Sequence, residues 1–88
     1  MMLYMIYGES CPYCAEAKKN LQRLFSEFPH FCRIPMGFLG EGEKLFAEWD
    51  HYYIPAFFWD KEKLAEGCYR ERDLKELMER AYDLWRSG

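Results

Sequence analysis

The N-terminal part of the chain combines an unbroken apolar run with a helical pattern. Residues Leu3 to Tyr7 show no alternation of apolar and polar positions, which is typical of a strand covered on both faces of a sheet. Apolar residues then recur every three or four positions from Pro12 to Phe28, which predicts an amphipathic helix that Pro29 stops. Its apolar face consists of Cys14, Ala17, Leu21, Leu24, Phe25 and Phe28.

The middle of the chain carries weaker signals. Residues Phe31 to Ile34 fit a short strand bracketed by prolines, which favours the edge of a sheet. The closely spaced glycines that follow, Gly37, Gly40 and Gly42, predict a loop. Apolar positions then share one side of a brief helix from about Glu43 to Asp50.

The C-terminal part predicts a hairpin and a helix. Residues Ala56 to Trp59 form a strand-like run, the turn-like segment 60–63 follows, and residues Leu64 to Glu66 return as a partner strand. An apolar stripe from about Glu71 to Arg86 predicts the last helix. A right-handed crossover makes the first two strands parallel, whereas the hairpin is antiparallel. We therefore expect a mixed α/β fold of β-α-β-α-β-β-α order.

Length and charge narrow the classes of function. The 88 residues, half of them hydrophobic, suit one domain spanning residues 1–88. A net charge of −3 and the absence of a dense basic run argue against nucleic acid as a partner. No apolar stretch approaches the roughly 20 residues of a spanning helix, and the N-terminus has no basic leader region. We expect a cytoplasmic protein with no membrane association, and a monomer.

Two of the four cysteines, Cys11 and Cys14, form a Cys-x-x-Cys pair at the start of the first helix. Free backbone N–H groups and the helix dipole at that end stabilise a thiolate on Cys11, the form that attacks disulfides. Cys14 lies one turn further in, where it can attack a mixed disulfide on Cys11 and release the substrate. The alternative, half of a zinc site, needs two more suitably spaced ligands, and the remaining Cys and His residues are scattered. We therefore expect a redox pair and no bound metal.

The residues Ile6-Tyr7, Cys11-Pro12-Tyr13-Cys14 and Ile54-Pro55 together resemble the glutaredoxin family. The resemblance implies a thioredoxin-like fold with strand order 2-1-3-4, a four-stranded mixed sheet and helices on both faces. It also implies a thiol-disulfide oxidoreductase that reduces protein disulfides or glutathione mixed disulfides, with glutathione as co-substrate and no bound cofactor. Pro55 would be a cis-proline facing the cysteines, and the backbone of Ile54 would pair with the substrate. The substrate-binding residues implied in this way are Tyr13, Ile54, Pro55, Gly67 and Cys68.

Two departures from the family pattern bear on the electron donor. Gly8 stands where glutaredoxins often carry a lysine that holds glutathione, and the segment Glu66 to Tyr69 lacks the family's Gly-Gly-acid pattern. A redoxin reduced by a flavoprotein reductase is therefore an alternative, as is, less favoured, a glutathione-dependent iron-sulfur cluster binder. Disulfide-containing proteins are the expected partners of a glutaredoxin-like enzyme and of a redoxin reduced by a flavoprotein.

The remaining cysteines carry separate expectations. Cys32 is expected to be a small buried core residue on the second strand, the commonest fate of a free cysteine. Cys68 borders the glutathione site in the relatives that the resemblance suggests. We favour a buried, inert Cys68 over a third redox thiol.

Overall fold

The computed structural model of the protein describes residues 1–40 and 52–88. Within these ranges the chain forms two α-helices, one short 3₁₀ helix and four strands. The bounds are β1 Leu3–Tyr7, α1 Pro12–Glu27, a 3₁₀ helix Pro29–Arg33, β2 Met36–Gly40, β3 Ala56–Trp59, β4 Glu62–Glu66 and α2 Glu71–Ser87. The helix expected from Glu43 to Asp50 lies outside the described residues.

The four strands form one mixed sheet in the order β2-β1-β3-β4. β1 pairs in parallel with β2, with Met5 opposite Phe38, and antiparallel with β3, with Met5 opposite Phe57. β3 and β4 form the expected antiparallel hairpin, with a register shift between Phe57 and Phe58. The predictions of β1 as a central strand, of the parallel first pair and of the hairpin are confirmed.

The two α-helices pack against one face of the sheet. Alternate residues of β1 and β3, Leu3, Met5, Phe57 and Trp59, join the apolar faces of α1 and α2 in the main core. The intervening strand residues Ile6, Ala56 and Phe58 form a second, smaller buried cluster. Both faces of β1 and β3 therefore carry buried apolar residues, as the unbroken hydrophobic run predicted for β1. The expected helix on the second face would involve residues outside the described ranges.

The second strand was predicted at the wrong place. Residues Pro29–Arg33 form a 3₁₀ helix whose Phe31 N–H donates to the Phe28 carbonyl at 3.0 Å, and the strand follows at Met36–Gly40. The glycine-rich segment is extended because β2 runs beside β1, where a Cβ on Gly37 would lie only 3.1 Å from the Tyr4 ring. Glycine here thus permits a close approach between neighbouring strands.

The hairpin turn is shorter than predicted, since it does not extend over the whole segment 60–63. β4 begins at Glu62, so the reversal is confined to Asp60 and Lys61, with Asp60 in the left-handed region at φ 52°. The Asp60 N–H donates to the Met2 carbonyl at 2.9 Å, and the Asp60 carboxylate accepts from the Met2 N–H at 3.0 Å. This reciprocal pair ties the turn to the start of β1.

In the described ranges, no helix combines the length and apolarity required to cross a membrane.

A candidate thiol site at the start of the first helix

Cys11 is the N-cap residue of α1. Its backbone is extended, at φ −86° and ψ 112°, and its Sγ accepts a hydrogen bond from the Cys14 N–H at 3.3 Å. The Cys11 N–H donates to the Gly8 carbonyl at 3.2 Å, which closes the short loop between β1 and α1. No acidic side chain occupies the first turn of α1. The partly exposed Cys11 therefore lies at the positive end of the helix dipole, where its sulfur accepts one of the N–H groups of the first turn.

Cys14 lies one turn inside the helix and has a different environment. Its side chain is only 2% exposed and belongs to the main core. Burial, followed by a hydrogen bond with the Cys11 thiol, raises the pKa of Cys14 to about 11. The two sulfurs are thus unequal, because the accessible one sits at the helix terminus and the buried one holds its proton.

The segment around Pro55 lies beside this pair. The Ile54-Pro55 peptide bond is cis, as expected from the resemblance. A Cβ placed on Gly8 would lie 2.8 Å from Cδ1 of Ile54 and 3.6 Å from Cβ of Cys11, so Ile54 packs directly over the loop that carries the thiol. The Pro55 carbonyl in turn accepts the Gly67 N–H at 2.8 Å. The structure therefore connects Cys11, Ile54, Pro55 and Gly67 through successive contacts.

Tyr13 flanks the thiol pair from the exposed side of α1. The residue is 53% exposed, and its ring contacts the Tyr69 ring in a tilted arrangement, with 4.8 Å between centroids and 41° between ring planes. The Tyr69 carbonyl accepts a hydrogen bond from the Asn20 side chain at 2.8 Å. Asn20 was not among the predicted site residues. Its signal was available, since it is a polar residue within an otherwise apolar stripe, between Ala17 and Leu21.

Glu66, at the end of β4, holds the segment that precedes Pro55. Its Oε2 accepts the Tyr52 N–H at 2.7 Å and the Tyr53 N–H at 3.0 Å, and its Oε1 forms an ion pair with Lys63. The hydrogen bond from Lys63, then those from the two backbone groups, lower the pKa of Glu66 to about 2. The carboxylate is therefore engaged in fixing this loop.

Cys68 and Cys32 both differ from a fully buried core thiol. Cys68 is partly buried and lines a cavity of about 410 Å³ with Asp73 and Glu76. Burial, and then the charges of those two acids, raise its pKa to about 11, which disfavours the reactive thiolate. Cys32 is exposed on the 3₁₀ helix, so its placement in the core of a second strand is wrong. The misplaced strand explains that error.

Comparison with known proteins adds no relative. No protein-family model matches the chain, and neither curated proteins nor solved structures include a significant match. Fold and site together define a small mixed α/β domain with a partly exposed cysteine at a helix N-terminus and a buried cysteine one turn later.

Proposed function

We propose that the protein is a glutaredoxin-like thiol-disulfide oxidoreductase in which Cys11 is the nucleophile and Cys14 the resolving thiol. The observation that carries this proposal is the unequal pair: Cys11 caps α1 and accepts the Cys14 N–H, while Cys14 is buried in the core. The strand order β2-β1-β3-β4 with a cis Ile54-Pro55 bond is compatible with the thioredoxin-like fold that such enzymes share.

In the proposed reaction, the Cys11 thiolate attacks one sulfur of a substrate disulfide. A bond forms between Cys11 and that sulfur, and the other sulfur leaves as a thiolate that takes up a proton. Cys14 then loses its proton and attacks Cys11, which releases the second substrate thiol and leaves a Cys11–Cys14 disulfide. Two electrons from an external thiol or a reductase restore the dithiol. The helix terminus assists both steps in which Cys11 carries or regains negative charge.

We propose that substrates bind across Ile54, beside Cys11. This proposal is supported by the Ile54 side chain, which lies against the Gly8 position in the loop that carries Cys11; an extended peptide beside the thiol could then pair with the backbone of residue 54 as an added strand. Tyr13 borders the same site on the helix side, and its exposed ring offers an apolar surface with a polar tip. Gly67 and Cys68 would form the far rim.

The electron donor is either glutathione or a flavoprotein reductase. For glutathione, Arg70 at the start of α2 is exposed and could hold a carboxylate. In favour of a reductase, Gly8 offers no cation beside Cys11, and the Glu66 carboxylate occupies the backbone N–H groups of Tyr52 and Tyr53. We propose disulfide-containing proteins as substrates with either donor.

The test is steady-state reduction of a glutathione mixed disulfide, with glutathione and glutathione reductase as donor. We expect Cys11→Ser to abolish activity and Cys14→Ser to retain it, because a second glutathione can replace the resolving thiol. Cys32→Ser is the matched control, since that thiol is exposed on a different element. In a parallel assay of protein-disulfide reduction, with dithiothreitol as donor, both active-site variants should lose activity. Full activity of Cys11→Ser in both assays would refute the proposal.

The same wild-type protein identifies the donor. Turnover with glutathione supports the glutaredoxin-like cycle. Protein-disulfide reduction with dithiothreitol but no turnover with glutathione would indicate a flavoprotein reductase, which is then tested directly with a thioredoxin reductase and its nicotinamide cofactor.

A further inference from the structure

Lys18, on the helix that also carries Cys14, places a positive charge against Tyr7, the last residue of β1. It lies four positions after Cys14 on α1, so the two side chains share one side of the helix. Its ammonium lies 3.6 Å from the centroid of the Tyr7 ring and 5.8 Å from that of Phe38. Tyr7 is the last residue of β1 and directly precedes Gly8, whose carbonyl accepts the Cys11 N–H. The aromatic contact thus fixes the ammonium close to the loop that carries the site.

We propose that Lys18 is a positioning residue whose positive charge promotes the attack of Cys14 on a mixed disulfide held by Cys11. This inference rests on the proposed function and assigns Lys18 to its second step. Lys18 does not touch the reacting sulfurs in this role. Its charge acts on Cys14 across the side of the helix that both residues share.

The need for such a charge follows from the burial of Cys14. A thiol that is 2% exposed gains little hydration when it ionises, so its thiolate requires stabilisation by nearby groups. The groups that act on Cys14 are the Cys11 thiol at the helix cap, the Gly8 backbone in the loop, and Lys18 on α1 itself. Cys11 opposes ionisation of Cys14, whereas the Gly8 backbone and Lys18 favour it. The Tyr7 contact is one between the ammonium and the face of an aromatic ring, which holds the cation without an ion pair.

The chemical step balances without a further reactant. The Cys14 S–H proton passes to solvent, the Cys14 sulfur forms a bond with the Cys11 sulfur, and the bond between Cys11 and the substrate sulfur breaks. The substrate sulfur leaves with the electron pair and takes up a proton. Lys18 stabilises the Cys14 thiolate from which this exchange begins, so its effect should be greatest where thiolate is scarce, at neutral pH.

The first experiment measures the ionisation of Cys14 and needs no catalytic activity. In a Cys11→Ser, Cys32→Ser, Cys68→Ser background, Cys14 is the sole thiol, and its ¹³Cβ chemical shift reports thiolate between pH 9 and 11. We expect Lys18→Met to lower the thiolate fraction in the lower half of this range, where a lysine keeps its charge, and Lys18→Arg to retain it. Lys19→Met is the control, since the neighbouring Lys19 is exposed. Equal thiolate fractions before and after the Lys18→Met substitution, with unchanged circular dichroism, would overturn the proposal.

The second experiment measures the step itself. Cys11 is converted to its glutathione mixed disulfide in a Cys32→Ser, Cys68→Ser background, and release of glutathione is followed from pH 6 to 9. Each unit by which Lys18→Met raises the Cys14 pKa should slow release about three- to fourfold in this range, because the tenfold smaller thiolate fraction is partly offset by the higher nucleophilicity of the more basic thiolate. Lys18→Arg should restore most of the rate. Glutathione release that is equally fast in the Lys18→Met variant would refute the role of Lys18. No glutathione release even with Lys18 present would refute the proposed function. In that case the ionisation experiment still tests the effect of the Lys18 charge on Cys14.

Discussion

Replacing Asn20 with alanine tests whether one buried hydrogen bond fixes the rim of the thiol site. Asn20 is 9% exposed, and its Nδ2 donates to the Tyr69 carbonyl at 2.8 Å. Tyr69 lies between β4 and α2, so this bond joins α1 to a segment 49 positions away. In the alanine variant, the Tyr69 carbonyl loses this donor.

The expected magnitude has two opposing parts. A buried acceptor left without its partner costs about 1–3 kcal/mol. Alanine is the better helix former and returns up to about 0.7 kcal/mol within α1. The net loss in the free energy of unfolding, with the full return, should therefore be about 0.3–2.3 kcal/mol. For a domain of this size each kcal/mol corresponds to roughly 4–8 °C, so the melting temperature should fall by several degrees.

Urea unfolding, with circular dichroism and tryptophan fluorescence as paired probes, measures this loss. The control is Ser26→Ala, an exposed position on α1, which should change stability by less than about 0.5 kcal/mol. Asn20→Asp should destabilise the protein at neutral pH at least as much as alanine, because a carboxylate cannot donate to the carbonyl and repels it. An Asn20→Ala variant as stable as wild type would show that the bond to Tyr69 does not hold this segment.

Three further predictions use the same unfolding assay. Folding raises the pKa of Cys14 and of Cys68 from 9.0 to about 11, so the folded state binds more protons than the unfolded state between these values. The free energy of unfolding should therefore fall as pH rises from 9 to 11. Cys68→Ser should flatten that decline, and an unchanged slope in this variant would contradict the prediction. Folding lowers the pKa of Glu66 from 4.5 to about 2, so the Glu66 carboxylate stabilises the folded protein above pH 4.5 and loses this effect as pH falls toward 2. Glu66→Gln should therefore be less stable than wild type at pH 7, and the difference in stability should shrink at pH 2.5. Gly67 has φ +65°, which is in the left-handed region. Gly67→Ala should therefore lower the free energy of unfolding by about 1 kcal/mol, whereas Gly67→Asn should lower it less. An alanine variant as stable as wild type would argue against the left-handed conformation.

Elements with strong local signals could be predicted from the sequence. The bounds expected for β1 coincide with those observed, and α1 begins at Pro12 because proline suits the first helical turn. The apolar stripe of α2 buries Leu74, Leu77, Met78 and Ala81, as its spacing indicated. In these segments the spacing of apolar residues, the residues at the segment ends and the position of the buried face all favour the same structure.

The second strand could not be located because its signal is not local. Residues Phe31 to Ile34 have the apolar composition of a strand, yet only Phe31 and Ile34 are buried, and the segment closes 3₁₀ hydrogen bonds. β2 itself, Met36–Gly40, is glycine-rich and partly exposed, and it gains its extended form by pairing with β1. Pairing with β1 has overridden local propensity in β2, whereas local 3₁₀ hydrogen bonds hold the segment before it.

The site shows the same division. Cys11 and Cys14 were identifiable because a short spacing at a helix start determines their environment. Asn20, Glu66 and Lys18 were not, since each acts through a contact that depends on how α1, β1 and β4 are arranged in space. A polar residue within an apolar helical stripe is the one local signal among these three.

These contacts also separate two properties of the site that mutations can address independently. The helix cap and the depth of Cys14 determine which sulfur is accessible, and both are local to the first turns of α1. The position of Ile54 relative to Cys11 depends instead on the loop before Pro55, which Glu66 holds through two backbone N–H groups. A change at Glu66 should therefore alter how an extended substrate meets Cys11 while leaving the ionisation of Cys14 as it is. A change at Lys18 should do the reverse, so the two variants distinguish substrate positioning from resolution of the mixed disulfide.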